Sequence, residues 1–144
     1  MHNSIWFLRH AQSTFNQNRT GAQDCNISDN GKIQASEIKG VFDLIILSPL
    51  RRTHQTLLYS NILANKIIIS NNIREFKQSL PDFLEGEEII FETENELNER
   101  TKNFKEELEI YKQKFEKILI ISHRYFIHNF TGILPNNCQL VEYK

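Results

Sequence analysis

An α/β domain of three layers, with helices on either side of a mostly parallel central sheet, is the fold class this sequence predicts. Three observations predict it. Short apolar runs recur along the 144 residues, at 5–8, 44–47, 66–70 and 118–121, each with the length of a strand rather than of a core helix. Stretches with helical spacing or helix-boundary residues fall between them. Three of the runs also stop alike, apolar side chains giving way to polar ones that include arginine or histidine: Arg9-His10, Ser48-Pro49-Leu50-Arg51-Arg52 and Ser122-His123-Arg124. Strands that alternate with helices pair in parallel and are covered on both faces.

In chain order, residues 5–8 form the opening strand, which presents Arg9 and His10 at its carboxyl end. Ser28 or Asp29 caps a helix through Gln34, Ala35 and Ile38, with Gly40 as its stop. Residues 44–47 are the second strand. Pro49 suits the first turn of a helix carrying Thr53 to Ile62, with Leu57, Leu58 and Ile62 on its apolar face. Residues 66–70 are β-branched, and Asn71-Asn72 closes them with turn chemistry. From Ile73 to Glu88 a mixture of Pro81, Gly86 and the acids Glu75, Asp82, Glu85, Glu87 and Glu88 reads as loop. Leu97, Thr101, Phe104, Leu108, Tyr111 and Phe115 then mark one face of a long helix between Glu94 and Phe115, whose Lys and Glu residues make an ordinary solvated face. A fourth strand at 118–121 precedes a short apolar helix from Tyr125 to Phe130, and 138–143 reads as an edge strand. Nothing in the composition divides the chain, so residues 1–144 are expected to form a single domain.

A formal net charge of -1 gives no basic field, so neither nucleic acid nor an anionic membrane surface is expected as a partner. Cys25 and Cys138 lie in no metal-ligand or redox spacing and read as free thiols of a cytoplasmic protein. The apolar run at 5–8 is too short for a secretory leader, and no segment reaches membrane-spanning length.

Ligands of parallel α/β sheets bind outside the carboxyl ends of the strands. Arg9, His10, Arg52 and His123 should therefore converge on one crevice, with Arg51 or Arg124 beside them. Gathering so many cationisable groups is costly without an anion, and the ligand implied is a phosphate. His2, His54 and His128 read as terminal, helix-surface or packing residues. His54-Gln55-Thr56 lacks the partner motif a phosphodiesterase would need, neither cysteine has the arginine of a cysteine-dependent phosphatase, and no P-loop is present.

At these residues the chain resembles the histidine phosphatase superfamily, which includes the phosphoglycerate mutases. Leu8-Arg9-His10-Ala11-Gln12-Ser13-Thr14-Phe15-Asn16 is similar to its Arg-His-Gly signature and the polar residues that follow. Ile27-Ser28-Asp29-Asn30-Gly31-Lys32-Ile33-Gln34-Ala35 is similar to its Leu-Thr-x-x-Gly-x-x-Gln-Ala helix start. Ser48 to Thr56 looks like Ser-Pro-Leu-x-Arg-Ala-x-Gln-Thr, which selects Arg52 over Arg51. Ile73-Arg74-Glu75 resembles the stretch that supplies an acid, and Ile121-Ser122-His123 the closing Val-Ser-His. Ala11 and Arg124 stand where the family pattern has glycine, and the chain is short between Glu75 and the long helix, which implies an open pocket.

The resemblance implies a phosphoglycerate mutase-like fold and a metal-independent, cofactor-free phosphomonoesterase working through a phosphohistidine on His10. Arg9, Arg52 and a protonated His123 would hold the phosphoryl oxygens, with Asn16, Ser13 and Arg124 as further substrate contacts. Glu75 would be the general acid and base, with Asp82 and Glu85 as rivals. The substrate would be a phosphorylated small molecule or a phosphoprotein. A mutase-type phosphotransferase and a catalytically weak phosphate- or phosphoprotein-binding module are the alternatives.

Overall fold

The computed structural model describes residues 2–19 and 22–144. Five strands, β1 (Ser4–Arg9), β2 (Lys39–Leu47), β3 (Asn61–Ile69), β4 (Lys117–Ser122) and β5 (Leu140–Tyr143), form one sheet in the order β3-β2-β4-β1-β5. All neighbours pair in parallel except β5, which runs antiparallel to β1 at the edge. Among the described residues five α-helices, α1 (Thr14–Asn18), α2 (Asp29–Ser36), α3 (Arg51–Tyr59), α4 (Glu94–Lys112) and α5 (Arg124–Thr131), connect and cover the strands.

The central strands are apolar on both sides, and each side has its own helical layer. On one, Phe7, Leu44, Ile46, Ile118 and Ile120 pack against Leu97, Phe104 and Leu108 of α4 and Phe126, Ile127 and Phe130 of α5. On the other, Leu8, Ile45, Leu47, Leu119 and Ile121 meet Ile38 and Leu57, at α2 and α3. Residues alternate between faces because successive side chains of a strand point to opposite sides. The expected α/β sandwich is therefore the observed architecture. The three strands with the shared ending are neighbours, β2-β4-β1, and Leu47 and Leu8 both align with Ile121. Their carboxyl ends lie side by side.

Several boundaries shift by a few residues, and two of the shifts change an assignment. Gly40 does not end a helix: α2 stops at Ser36, where the Glu37 N–H bonds back to Gln34 and Ala35, and Gly40 lies inside β2 opposite Ile62. Ile62 does not continue a helix: α3 stops at Tyr59, and Ile62 is buried in β3. Its apolarity serves the sheet, which a helical face count cannot distinguish over so short a run. Helix α1 has no counterpart in the apolar pattern. Its signal is polar, a capping box in which Ser13 Oγ accepts from Asn16 N–H and Asn16 Oδ1 from Ser13 N–H.

The expected loop, residues 73–88, is cross-braced. Arg74 donates to both Glu87 carboxylate oxygens (2.9 and 2.6 Å), and Gln23 Nε2 reaches the Leu84 and Glu87 carbonyls. Arg100 of α4 pairs with Glu92 and donates to the carbonyls of Asn72, Arg74 and Glu75. Both cysteines are free. No helix among the described residues is long and apolar enough to cross a membrane.

Candidate active site

Main-chain bonds join the three strand ends: His10 N–H to Ser122 O (3.1 Å) and Ser48 N–H to Ile121 O (3.3 Å). The turn after His10 is held from two helices. Thr56 Oγ1 accepts from Ala11 N–H (2.9 Å) and donates to Arg52 O (2.8 Å), tying that turn to the helix that carries Arg52. Gln34 Oε1 accepts from Gln12 N–H, and Gly31 lets α2 approach closely, because a Cβ there would collide with the Gln12 carbonyl oxygen. Behind β1, the Cys138 N–H reaches the carbonyls of Arg9 and His10, and Asn137 Nδ2 bridges His10 O and Asn16 Oδ1.

These constraints enclose a cavity of about 120 Å³ lined by Arg9, His10, Arg52, Glu75, Asp82 and Arg124, among others. His10 Nδ1 lies 2.7 Å from Ala11 O. A carbonyl only accepts, so Nδ1 carries the hydrogen and Nε2 keeps its lone pair. Burial, then the charges of Arg52 and Arg9, hold the imidazole well below its usual pKa and therefore neutral. Burial, with Arg124 and Arg52 close by, also lowers Arg9 to about 10, which leaves it charged near neutrality. Arg9 Nη1 donates to Pro135 O, while its buried Nε has no acceptor among the described residues. Arg52 donates to Pro81 O (2.7 Å) and stands 3.7 Å from Asp82.

His123 corrects an expectation. It is fully buried behind Arg52 rather than on the cavity wall, its ring 5.2 Å from that of His10. Arg52 Nη2 lies 3.3 Å from Nδ1, and guanidinium only donates, so Nδ1 is unprotonated and Nε2–H donates to Ser48 Oγ (2.8 Å). Burial and then Arg52 hold its pKa well down. Held so by burial and by Arg52, His123 is neutral here, not the protonated group the resemblance implies.

Glu75 is buried at the start of α5, where Oε1 accepts from the N–H groups of Phe76 (2.8 Å), Tyr125 (3.2 Å) and Phe126 (3.1 Å). It serves as the cap that α5 lacks, since His123 at the N-cap position makes no side-chain capping bond. Burial, then Asp82, raises its pKa to about 7, against the lowering effect of the amides. The two rival acids separate. Asp82 also faces the cavity but is engaged, Oδ2 accepting from Gln78 N–H, Ser79 N–H and Ser79 Oγ–H. Glu85 pairs with Arg51 on the surface, away from the cavity.

Ser13 and Asn16 both line the cavity. Asn16 Oδ1 is occupied by Ser13 and Asn137, so the amide group left to face a ligand is the donor Nδ2. Residue-by-residue reasoning missed Arg19 on the cavity wall, Asn137 behind His10 and Arg100 behind Glu75. The Ser13-x-x-Asn16 capping box, read as a helix, would have carried Arg19 into view. No sequence signal marks the other two. Among the described residues no group of His, Cys, Asp and Glu side chains has an arrangement that could hold a metal ion.

The model of the histidine phosphatase superfamily (branch 1) matches residues 5–78. The chain belongs to that superfamily. Its structure is similar to that of the open reading frame Rv3214 of Mycobacterium tuberculosis, at 16% identity and a TM-score of 0.74, covering 99% of this chain and 91% of that one. It is also similar to a phosphoserine phosphatase of Entamoeba histolytica solved with 3-phosphoglyceric acid, at 20% identity and a TM-score of 0.66, covering 97% and 89%. An alpha-ribazole phosphatase of Shigella flexneri aligns at 18% identity and a TM-score of 0.64, covering 86% and 75%. None of the curated proteins compared with the chain matches it. Membership in the superfamily makes this a histidine-type phosphatase.

Proposed function

We propose that this histidine-type phosphatase hydrolyses phosphate monoesters of small molecules, without a metal, through a phosphohistidine on Nε2 of His10. The observation that carries the reading is the His10 tautomer: the Nδ1–H bond to Ala11 O directs the ring's lone pair to Nε2, on a residue lining a cavity that also holds two buried arginines. A neutral imidazole is the nucleophilic form, and the same cations that keep it neutral attract the dianionic substrate.

Nε2 attacks phosphorus in line, the P–N bond forming as the ester P–O bond breaks. Arg9 and Arg52 bind the equatorial oxygens, with Ser13 Oγ and Asn16 Nδ2 as further donors. His123 acts behind Arg52, accepting its N–H and fixing the guanidinium. The leaving oxygen takes the proton of Glu75. Oε1 accepts from three amides and Oε2 only from the Tyr125 N–H it shares with Oε1, so the proton belongs on Oε2, and a pKa of about 7 keeps both forms populated near neutrality. In the second half-reaction the Glu75 carboxylate accepts a proton from water as water attacks the phosphohistidine. The P–N bond breaks, inorganic phosphate leaves and Nε2 regains its lone pair.

Turnover of p-nitrophenyl phosphate in the presence of chelator tests this. The intact chain is expected to hydrolyse it and to trap a label from phosphate-labelled substrate on alkaline quench, under which a P–N bond survives, and His10→Ala to lose both. Turnover that survives His10→Ala, or that chelator abolishes, overturns the reading.

A further inference from the structure

The sequence has seven arginines, and four of them, Arg51, Arg52, Arg74 and Arg100, pair with carboxylates. Among the described residues the other three, Arg9, Arg19 and Arg124, make no ion pair, and all three line the one cavity described above. They differ in depth. Arg9 and Arg52 are buried, at 9% and 3% exposure, and form the floor beside His10, whereas Arg124 is half-buried and Arg19 exposed, at the rim. Each rim guanidinium lies against a ring rather than an acid: Arg19 is 5.6 Å from the centroid of Phe15 and Arg124 is 5.4 Å from that of Tyr125. Aromatic faces orient a guanidinium without neutralising it.

In-line displacement fixes which way the substrate points. With His10 on the floor, the leaving group lies on the opposite side of phosphorus, toward the rim. Glu75 stands on that path, accepting from the N–H of Tyr125, the residue next to Arg124. A phosphoryl dianion and Asp82, which faces Arg52, bring three negative charges against the four arginines of the lining and leave one positive charge uncompensated at the rim.

We propose that Arg124, with Arg19, forms a second anion subsite, so that the favoured substrates are phosphate monoesters whose leaving group carries a further negative group, a carboxylate or a second phosphate. This rests on the phosphomonoesterase reading and narrows it to a substrate class. Arg124 is then a specificity-determining residue.

The test is a three-carbon series, propyl phosphate, 3-phosphonooxypropanoate and propane-1,3-diyl bisphosphate, turned over by the intact chain and by Arg124→Gln and Arg19→Asn. Asparagine at position 19 tolerates the left-handed backbone there, φ 60°. kcat/KM for at least one compound with a second anionic group is expected to exceed that for propyl phosphate by roughly tenfold, the scale of a partly exposed charge-assisted contact. Which of the two is preferred distinguishes carboxylate from phosphate. Arg124→Gln should cut that ratio by about fivefold or more, and added salt should lower it in the intact chain. No preference in the intact chain, or an equal loss on all three compounds in Arg124→Gln, overturns the subsite, the second result assigning Arg124 to the phosphoryl clamp. Calorimetric binding of the same compounds to His10→Ala reads the subsite without turnover. Preferential binding there without hydrolysis by the intact chain supports the subsite and refutes the phosphatase reading, whereas hydrolysis without preference does the reverse.

Discussion

Gly31→Ala tests how the family-like helix start of α2 serves the site, because two physical effects predict opposite signs. In an exposed helix interior the change removes backbone freedom from the unfolded chain and stabilises by about 1 kcal/mol. Here Gly31 is buried, and an added Cβ would overlap the Gln12 carbonyl oxygen and crowd Gln12 C and N at 3.2 Å. The carbonyl cannot yield freely, since it accepts from Ser28 N–H (2.8 Å), Ser28 Oγ–H holds the Gln12 side chain at Oε1 (2.7 Å), and Gln12 N–H is held by Gln34. Overpacking a rigid site costs roughly 1–3 kcal/mol, and loosening the Ser28 bonds about 1 kcal/mol more. The net expectation is a loss of about 2 kcal/mol, a fall in Tm of roughly 4–8 °C for a chain of this size. Gln12 is two residues from His10, so kcat/KM should fall as well, by about tenfold or more. Thermal unfolding followed by circular dichroism, beside the aryl phosphatase assay, reads both. An unchanged or higher Tm would refute the close approach of α2 to the catalytic turn.

Glu75→Gln keeps a carbonyl oxygen for the three amides at Oε1 but has no proton to transfer, so the chain should fold while hydrolysis of alkyl phosphates falls by about 10²–10⁴. The loss should be clearly smaller for p-nitrophenyl phosphate, whose leaving group needs less protonation, and an equal loss on both would remove Glu75 from the acid's role. The same variant isolates a stability effect of pH. A Glu75 pKa raised from 4.5 to about 7 means that the folded state holds its proton more tightly than the unfolded chain. That stability is complete below about pH 4.5 and is lost as pH rises through about 7, up to roughly 3 kcal/mol. Urea midpoints of the intact chain relative to Glu75→Gln should therefore drop between pH 5 and pH 8.5, and a constant difference would contradict the buried, raised carboxyl. The imidazoles run the other way: with pKa values held below 6.5, His10 and His123 contribute stability above that pH and lose it as pH falls.

The sequence by itself determined the sheet and the strand ends. Apolar runs at 5–8, 44–47 and 118–121 have to be buried, and residues of strand length that break off at Arg9-His10, Ser48 to Arg52 and Ser122-His123 leave those side chains at the sheet's carboxyl edge whatever the connecting segments do. Local chemistry of that kind is readable because period, capping and turn preference act over a few neighbouring residues. Tertiary structure alone decided the rest. It placed His123 behind Arg52 as a neutral acceptor, separated Glu75 from Asp82 and Glu85 by the amides of α5, and brought Arg19 and Arg124 to one rim. Protonation and role depend on what lies within a few ångströms across the fold. Arg52 reaches His123 over 71 positions of sequence and Glu75 meets Phe126 over 51. No local pattern carries those distances, so the charge each group holds became legible only when the strands were laid side by side.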